Sequence, residues 1–341
     1  MNPAPITDSS IAPTNEGSSR SALFLAIAVC LAGALLYFSL RKVDWRQVWS
    51  AISHCRVPLL LASLAISFAS YFLRGLRWRV LLNTQAHLPV FTVFWANSAG
   101  YLGNNVLPAR AGELIRTAMV SSQSRLSKTF VLTTALAERM MDAIVLVVSG
   151  TVVLRFVPNK PGWLANISSP LLILGCVAAL AIISIPLFEG PAHQLMEKLP
   201  VPERFAHRME SAIEHIAAGV RSFHDPSRFS GFLLLTVAIW GLDAYGATIL
   251  ARALGMHMSI AVALLLLVGL GVGSALPSTP GYIGIFQFVA VTVLVPFHFT
   301  HSAAIAYILV AQAVGLAVTG VLGSIGLLQY RKLKAVDVPA A

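Results

Sequence analysis

The sequence predicts an all-α polytopic membrane protein, and three observations carry that prediction. Of the 341 residues, 57% are apolar and only 11% charged. Mean hydropathy is +0.77. The apolar residues lie in blocks long enough to cross about 30 Å of hydrocarbon at about 1.5 Å per residue. About eight to nine hydrophobic segments are expected, with Gly- and Pro-containing polar breaks at residues 97–116 and 274–287. Hydrocarbon tolerates broken backbone only where protein or a cavity satisfies its N–H and C=O groups, so the breaks mark a site rather than a lipid-facing wall.

Residues 1–20 mix Pro, Ser, Thr, Asn and Gly with few large apolar groups, and are expected to form a disordered leader. The block 21–40 exceeds the roughly 7–15 apolar residues of a signal peptide and ends at Arg41-Lys42 without an A-x-A-like site, so it reads as a retained helix. Residues 41–57 set Val43, Trp45, Val48, Trp49 and Ile52 among basic residues, which suits either an interfacial helix with aromatic anchors or an ordinary connection. Further segments are expected at 58–75, 90–107, 130–156, 168–188, 230–251, 259–276, 281–297 and 302–328. Three of these (90–107, 259–276 and 281–297) are candidates for half-helices or re-entrant hairpins.

Residues 189–228 form the longest polar interval. Within it Phe205, Met209, Ile213, Ile216, Val220 and Phe223 recur at three- and four-residue steps, the stripe of an amphipathic helix whose Arg208 and Arg221 can meet anionic headgroups. The expected organisation is a transmembrane domain over 21–328, with 189–228 as a cytoplasmic amphipathic connection and 329–341 as a basic cytoplasmic tail. One break falls in each half, and Leu107-Pro108 before Gly112 has a counterpart in Leu276-Pro277 before Gly281, which makes an inverted internal repeat a candidate.

The formal charge of +10 does not call for a nucleic-acid partner, because the basic residues flank membrane segments and no nucleic-acid-binding spacing accompanies them. Lipid headgroups and the positive-inside rule account for them. Arg110, Arg116, Arg125 and Lys128, then Lys198 to Arg228, then Arg331, Lys332 and Lys334 are placed in the cytoplasm. Arg41, Lys42, Arg46 and Arg56 are separated by one span from Arg74, Arg77 and Arg79, so both groups cannot be inside. Eight crossings with an inside amino terminus make 90–107 re-entrant, whereas nine put that terminus outside. The three Arg residues around Trp78 read as headgroup anchors. Cys30, Cys55 and Cys176 lack a paired spacing and are expected to be packing residues. No metal or cofactor is expected, since the His residues show no H-E-x-x-H arrangement and no nucleotide-binding glycine loop is present.

In the first break, Gly and Pro permit a chain reversal while Asn104 and Asn105 can bond the freed backbone groups. A half-helix starting near Pro108 would let Arg110 and free N–H groups hold a phosphate, with Glu113 orienting Arg110 or Arg116 or carrying a proton. The plainer alternative is an interfacial turn with Arg110 and Arg116 as topology anchors. In the second break, Thr279 can cap a helix that begins at Pro280, and Ser278, Thr279 and Gln287 can supply neutral hydrogen bonds. Glu138 and Asp142 share one helix face while Arg139 is turned about 100° away, which suits an ion network or a proton relay. Asp243 lies deep in the apolar run 232–250, either as a functional acid or as a partner for broken backbone.

Together, Arg74 to Leu82, Gly103 to Arg116, Glu138-Arg139 with Asp142, and Pro277 to Gln287 resemble the flippase-like membrane-domain family shared by lysylphosphatidylglycerol synthases and an archaeal glycosylation-associated protein, with stand-alone bacterial and hopanoid-cluster members. The resemblance covers about residues 20–330. It departs at Gln287, where the family pattern often carries Glu after Gly-x-Phe, so Gln287 is a polar lining candidate only. In the synthases the membrane domain is joined to a soluble aminoacyl-transferase domain. Here only a basic tail follows residue 328, so synthase activity is not expected. The resemblance implies an inner-membrane protein that translocates or handles lipids with polar or anionic headgroups. An accessory subunit or membrane enzyme of lipid modification or lipid-linked glycosyl transfer is the alternative. Membrane lipids, and on the alternative a lipid-modifying enzyme, are the expected partners. The expected lining residues are Asn104, Asn105, Arg110, Glu113, Arg116, Glu138, Arg139, Asp142, Asp243, Ser278, Thr279 and Gln287.

Overall fold

A computed structural model describes residues 29–107, 111–156, 225–274 and 280–336, with scattered positions between 162 and 180. The leader, most of the 168–188 segment, the 189–224 part of the amphipathic connection and residues 337–341 lie outside the described residues. Among the described residues every regular element is helical. They are α1 (Val29–Leu40), α2 (Trp45–Ser53), α3 (Val57–Leu82), α4 (Val90–Val106), α5 (Gly112–Gln123), α6 (Lys128–Phe156), α7 (Pro226–Ala253), α8 (Ile260–Ser274), α9 (Ile285–Leu294) and α10 (His301–Val336), with 3-10 turns at Pro280–Tyr282 and Val295–Phe297.

Local chemistry sets the helix starts. Asp44 and Asp225 each accept hydrogen bonds from first-turn amides of α2 and α7, satisfying donors that a helix leaves orphaned. Pro58 and Pro226 stand in the first turn of α3 and α7, where a missing N–H costs nothing.

Among the described residues, α3, α7 and α10 are long and apolar enough to cross a membrane, and α1, α8 and the stretch Ile285–Phe297 are shorter apolar helices. This is fewer than the eight or nine segments expected. The shortfall has physical causes: α4 is only 17 residues long, and α6, although 29 residues long, carries Glu138, Arg139 and Asp142 along its length. The second break also differs from expectation. Pro280 opens a 3-10 turn rather than a helix, and α9 begins only after Gly284, whose φ of 89° suits a residue without Cβ.

The two halves share one plan of long helix, helical hairpin, long helix. In the first, α4 and α5 fold back on each other so closely that a Cβ on Gly112 would lie 1.9 Å from the Gly100 carbonyl oxygen and 2.6 Å from the Asn104 nitrogen. In the second, Gly273 backs onto Ile285 and Gly269 onto Val293, again an antiparallel pair. Contacts between halves repeat as well. α4 packs on α10, with Gly326 against Trp95 and Gly323 against Leu102, while α8 packs on α6, with Gly271 against Leu146 and Gly150 against Val268.

α3 and α7 pack directly and antiparallel. The Arg56 amide donates to Ala253 O at 2.8 Å at one end, Ser70 donates to Asp243 at 2.5 Å midway, and Arg77 donates to Thr236 at 3.2 Å beyond. The hairpins match with α5 opening at Gly112 and α9 opening after Gly284. α5 thus opens four residues after Pro108, and α9 opens five residues after Pro280 and eight after Pro277.

α2 presents Trp45 and Trp49 outward, the latter 72% exposed, and tucks Val48 into the core formed with α7, α8 and α10. That is an amphipathic surface helix, not a plain link. Cys55 packs partly against the same core, whereas Cys30 and Cys176 are exposed, so the packing role expected of the three cysteines holds for Cys55 alone.

Candidate functional site

Both polar breaks border one cavity of about 710 Å³, within the roughly 300–1,000 Å³ typical of ligand sites. Asn104 and Asn105 reach it from the end of α4, and Gly281, Tyr282 and Ile283 from the turn before α9. Arg74 on α3, Arg139 on α6, Trp240 and Asp243 on α7, and Gln287 and Gln312 complete the polar wall, while leucines of α1 and α8 supply an apolar one.

Behind the first hairpin lies a buried ion network. Arg77 donates through Nη1 and Nη2 to both carboxyl oxygens of Asp142 at 2.6 and 2.7 Å, and through Nη2 to Glu138 at 3.0 Å. The other Glu138 oxygen accepts from Arg116 at 3.0 Å. Arg116 also bonds Asn97 at 2.8 Å and Glu113 at 2.5 Å, and Glu113 accepts from Arg139 at 3.1 Å and Asn104 at 3.3 Å. Trp78 and Phe232 cover the Arg116 and Arg77 guanidiniums at 4.5 and 5.1 Å. Buried charge survives only when paired and bonded, and this network meets that condition.

The expected lining residues fall into three groups. Asn104, Asn105, Arg139, Asp243 and Gln287 line the cavity. Glu113, Arg116, Glu138 and Asp142 form the network behind it. Arg110, Ser278 and Thr279 lie outside the described residues. The angular offset of Arg139 from Glu138, about 100° around the helix, lets α6 face two ways, with its acids toward α3 and its Arg toward the cavity.

The reading of Arg74 and Arg77 as headgroup anchors is overturned. Arg77 is fully buried, Arg74 pairs with Asp243 in the cavity wall, and Arg79 donates to Leu88 O at 2.6 Å. Asp243, bonded to side chains of α3, does not serve broken backbone.

Sequence reasoning missed Arg74, Tyr101, Trp240 and Gln312. Tyr101 stands one turn before Asn104, on the same helix face, and Gln312 is an amide inside an apolar run, so both carried a signal. Among the described residues, the buried side-chain polar atoms without a hydrogen-bond partner are Tyr101 Oη, Asn104 Oδ1, Ser121 Oγ and Trp240 Nε1. Three of these four residues line the cavity, with the unpartnered atoms themselves buried behind its surface. The described end of the second break is instead bonded to α10. Gln287 accepts from the Gly284 amide at 2.8 Å and donates to Gln312 at 2.6 Å, and Gln312 donates to Gly281 O at 2.8 Å.

Residues 23–323 match the protein family described as the lysylphosphatidylglycerol synthase TM region. A glycosyltransferase, AglD of Haloferax volcanii, is 24% identical over 336 residues, a match covering 83% of this chain and 50% of that protein. The chain thus spans about half the length of that relative. No solved structure matches it.

Proposed function

The chain belongs to the family of the lysylphosphatidylglycerol synthase transmembrane region, and from that membership we propose that it translocates or otherwise handles lipids with polar or anionic headgroups in a bacterial inner membrane. One observation carries the reading: both breaks open on a cavity holding two arginines and three side chains with unsatisfied polar atoms, walled on one side by leucine. Among the described residues Arg139 donates to a side chain only through its Nε, to Glu113, which leaves its planar donor fork for a phosphate. Asn104, Asn105, Asp243 and Gln287 line the path, Arg110, Ser278 and Thr279 are carried as further lining candidates, and the Glu113, Arg116, Glu138 and Asp142 network holds the wall in place.

The antiparallel α3 and α7 give the two halves opposite directions, as an inverted repeat requires. On this reading α4–α5 and α8–α9 are re-entrant hairpins that enter from opposite faces and bring their tips together. The expected eight to nine segments then resolve into full crossings plus hairpins. α6 ends on the face where α3 starts, and α7 begins on the other. Arg74 and Arg77 drop out of the positive-inside count because they are paired within the protein. This places Arg125, Lys128 and Arg331 together on the cytoplasmic face.

A second reading, an accessory part of a lipid-modifying or glycosyl-transfer enzyme, draws on the relative named a glycosyltransferase. Vesicles reconstituted with the purified chain and fluorescent anionic, zwitterionic and polyprenyl-linked lipids separate the two. Leaflet exchange by the wild type that is lost in Arg139→Ala supports translocation. Product formation only with an added partner enzyme, and no exchange, supports the accessory role.

A further inference from the structure

Resting on the headgroup reading above, we propose that the cavity selects a zwitterionic headgroup, with its phosphate on Arg139 and Arg74 and its amine on Asp243, so that Asp243 determines specificity. The argument starts from charge. Among the described residues the buried ionic set holds four cations, Arg74, Arg77, Arg116 and Arg139, and four carboxylates, Glu113, Glu138, Asp142 and Asp243. Within these eight residues the charges balance.

A headgroup with a single net charge leaves one buried charge without a partner, which is the costly outcome in a low-dielectric site. A neutral headgroup has nothing with which to replace the Arg74–Asp243 pair. A zwitterion exchanges partners instead, so that one ion pair becomes two and the count stays balanced.

Geometry favours the exchange at this position. Arg74 and Asp243 are 13% and 18% exposed, accessible from the cavity, whereas Arg77 and Glu138 are wholly buried. Tyr71, Tyr101 and Trp240 border the same wall, and ring faces attract an amine cation.

The test measures the thermal midpoint of the purified full chain in detergent against added short-chain lipids: dihexanoyl phosphatidylethanolamine, its N-acetylated form, dihexanoyl phosphatidylglycerol and a glucosyl diacylglycerol. The wild type is expected to bind the amine lipid about tenfold more tightly than the other three. Asp243→Asn, which keeps the shape and removes the charge, is expected to abolish that preference. Equal or tighter binding of phosphatidylglycerol, or an amine preference that survives in Asp243→Asn, overturns the proposal. Should the variant not fold, the N-acetylated lipid decides the matter in wild type, since loss of the amine charge must cost the same tenfold. Amine-selective binding without leaflet exchange in vesicles leaves this assignment standing and removes translocation. Exchange without headgroup preference does the reverse.

Discussion

Arg77 and Asp142 meet as a two-bond fork, 2.6 and 2.7 Å, joining α3 to α6 with the guanidinium fully enclosed. Removing one partner of such a pair strands the other, at a cost of about 3–5 kcal/mol. Arg77→Ala and Asp142→Asn are therefore expected to lower stability in denaturant titration far more than Arg46→Ala, whose side chain stands exposed on α2. Similar unfolding midpoints for all three variants would show that the fork does not hold these helices together.

The first hairpin depends on a residue without a side chain. At Gly112 a methyl group would meet backbone at 1.9 Å and 2.6 Å, and backbone cannot step aside. Gly112→Ala is expected to abolish monodisperse folded protein on size-exclusion chromatography. Gly241→Ala, with nothing within 4 Å, is expected to behave as wild type. A well-folded Gly112→Ala protein would contradict the close crossing of α4 and α5.

Much of this arrangement was legible in the sequence, and the reasons differ by residue. The paired breaks, the facing of Glu138 and Asp142 away from Arg139, and the turning of Asp243 away from lipid followed from helical spacing and the expense of charge in hydrocarbon. Arg74 and Arg77 were misread because an arginine near a helix end and one paired inside the protein look alike until the partner helix is known. Their acids lie 61 or more residues away. The hairpin register was legible only in part, since a Leu-Pro pair is a weaker marker than the glycine at which two backbones touch.

Tyr101 offers a test of whether the cavity is built for a ligand. Its hydroxyl is buried without a partner, and an unsatisfied hydroxyl costs about 1–3 kcal/mol. Tyr101→Phe is expected to unfold at the same or a higher temperature than wild type in lipid-free detergent, yet to exchange or bind lipid less well. A variant that loses stability and keeps lipid handling would mean the hydroxyl serves the fold.

The hairpin proposal fixes which loops share a face. α3 crosses, so Arg56 and Asn83, at its two ends, must lie on opposite sides, while α4–α5 returns, so Ala86 and Ser124 must lie on the same side. The inverted partner follows: His257 before α8 and Phe299 after α9 belong together on the side of Arg56. Single cysteines at these six positions, in a chain whose Cys30, Cys55 and Cys176 are replaced by Ser, can be labelled in intact and then permeabilised cells with a membrane-impermeant maleimide. Positions 83, 86 and 124 are expected to react only after permeabilisation, and 56, 257 and 299 before it. Labelling of 86 and 124 from opposite faces would make α4 or α5 a full crossing, and the two tips could not then meet from opposite sides at one cavity.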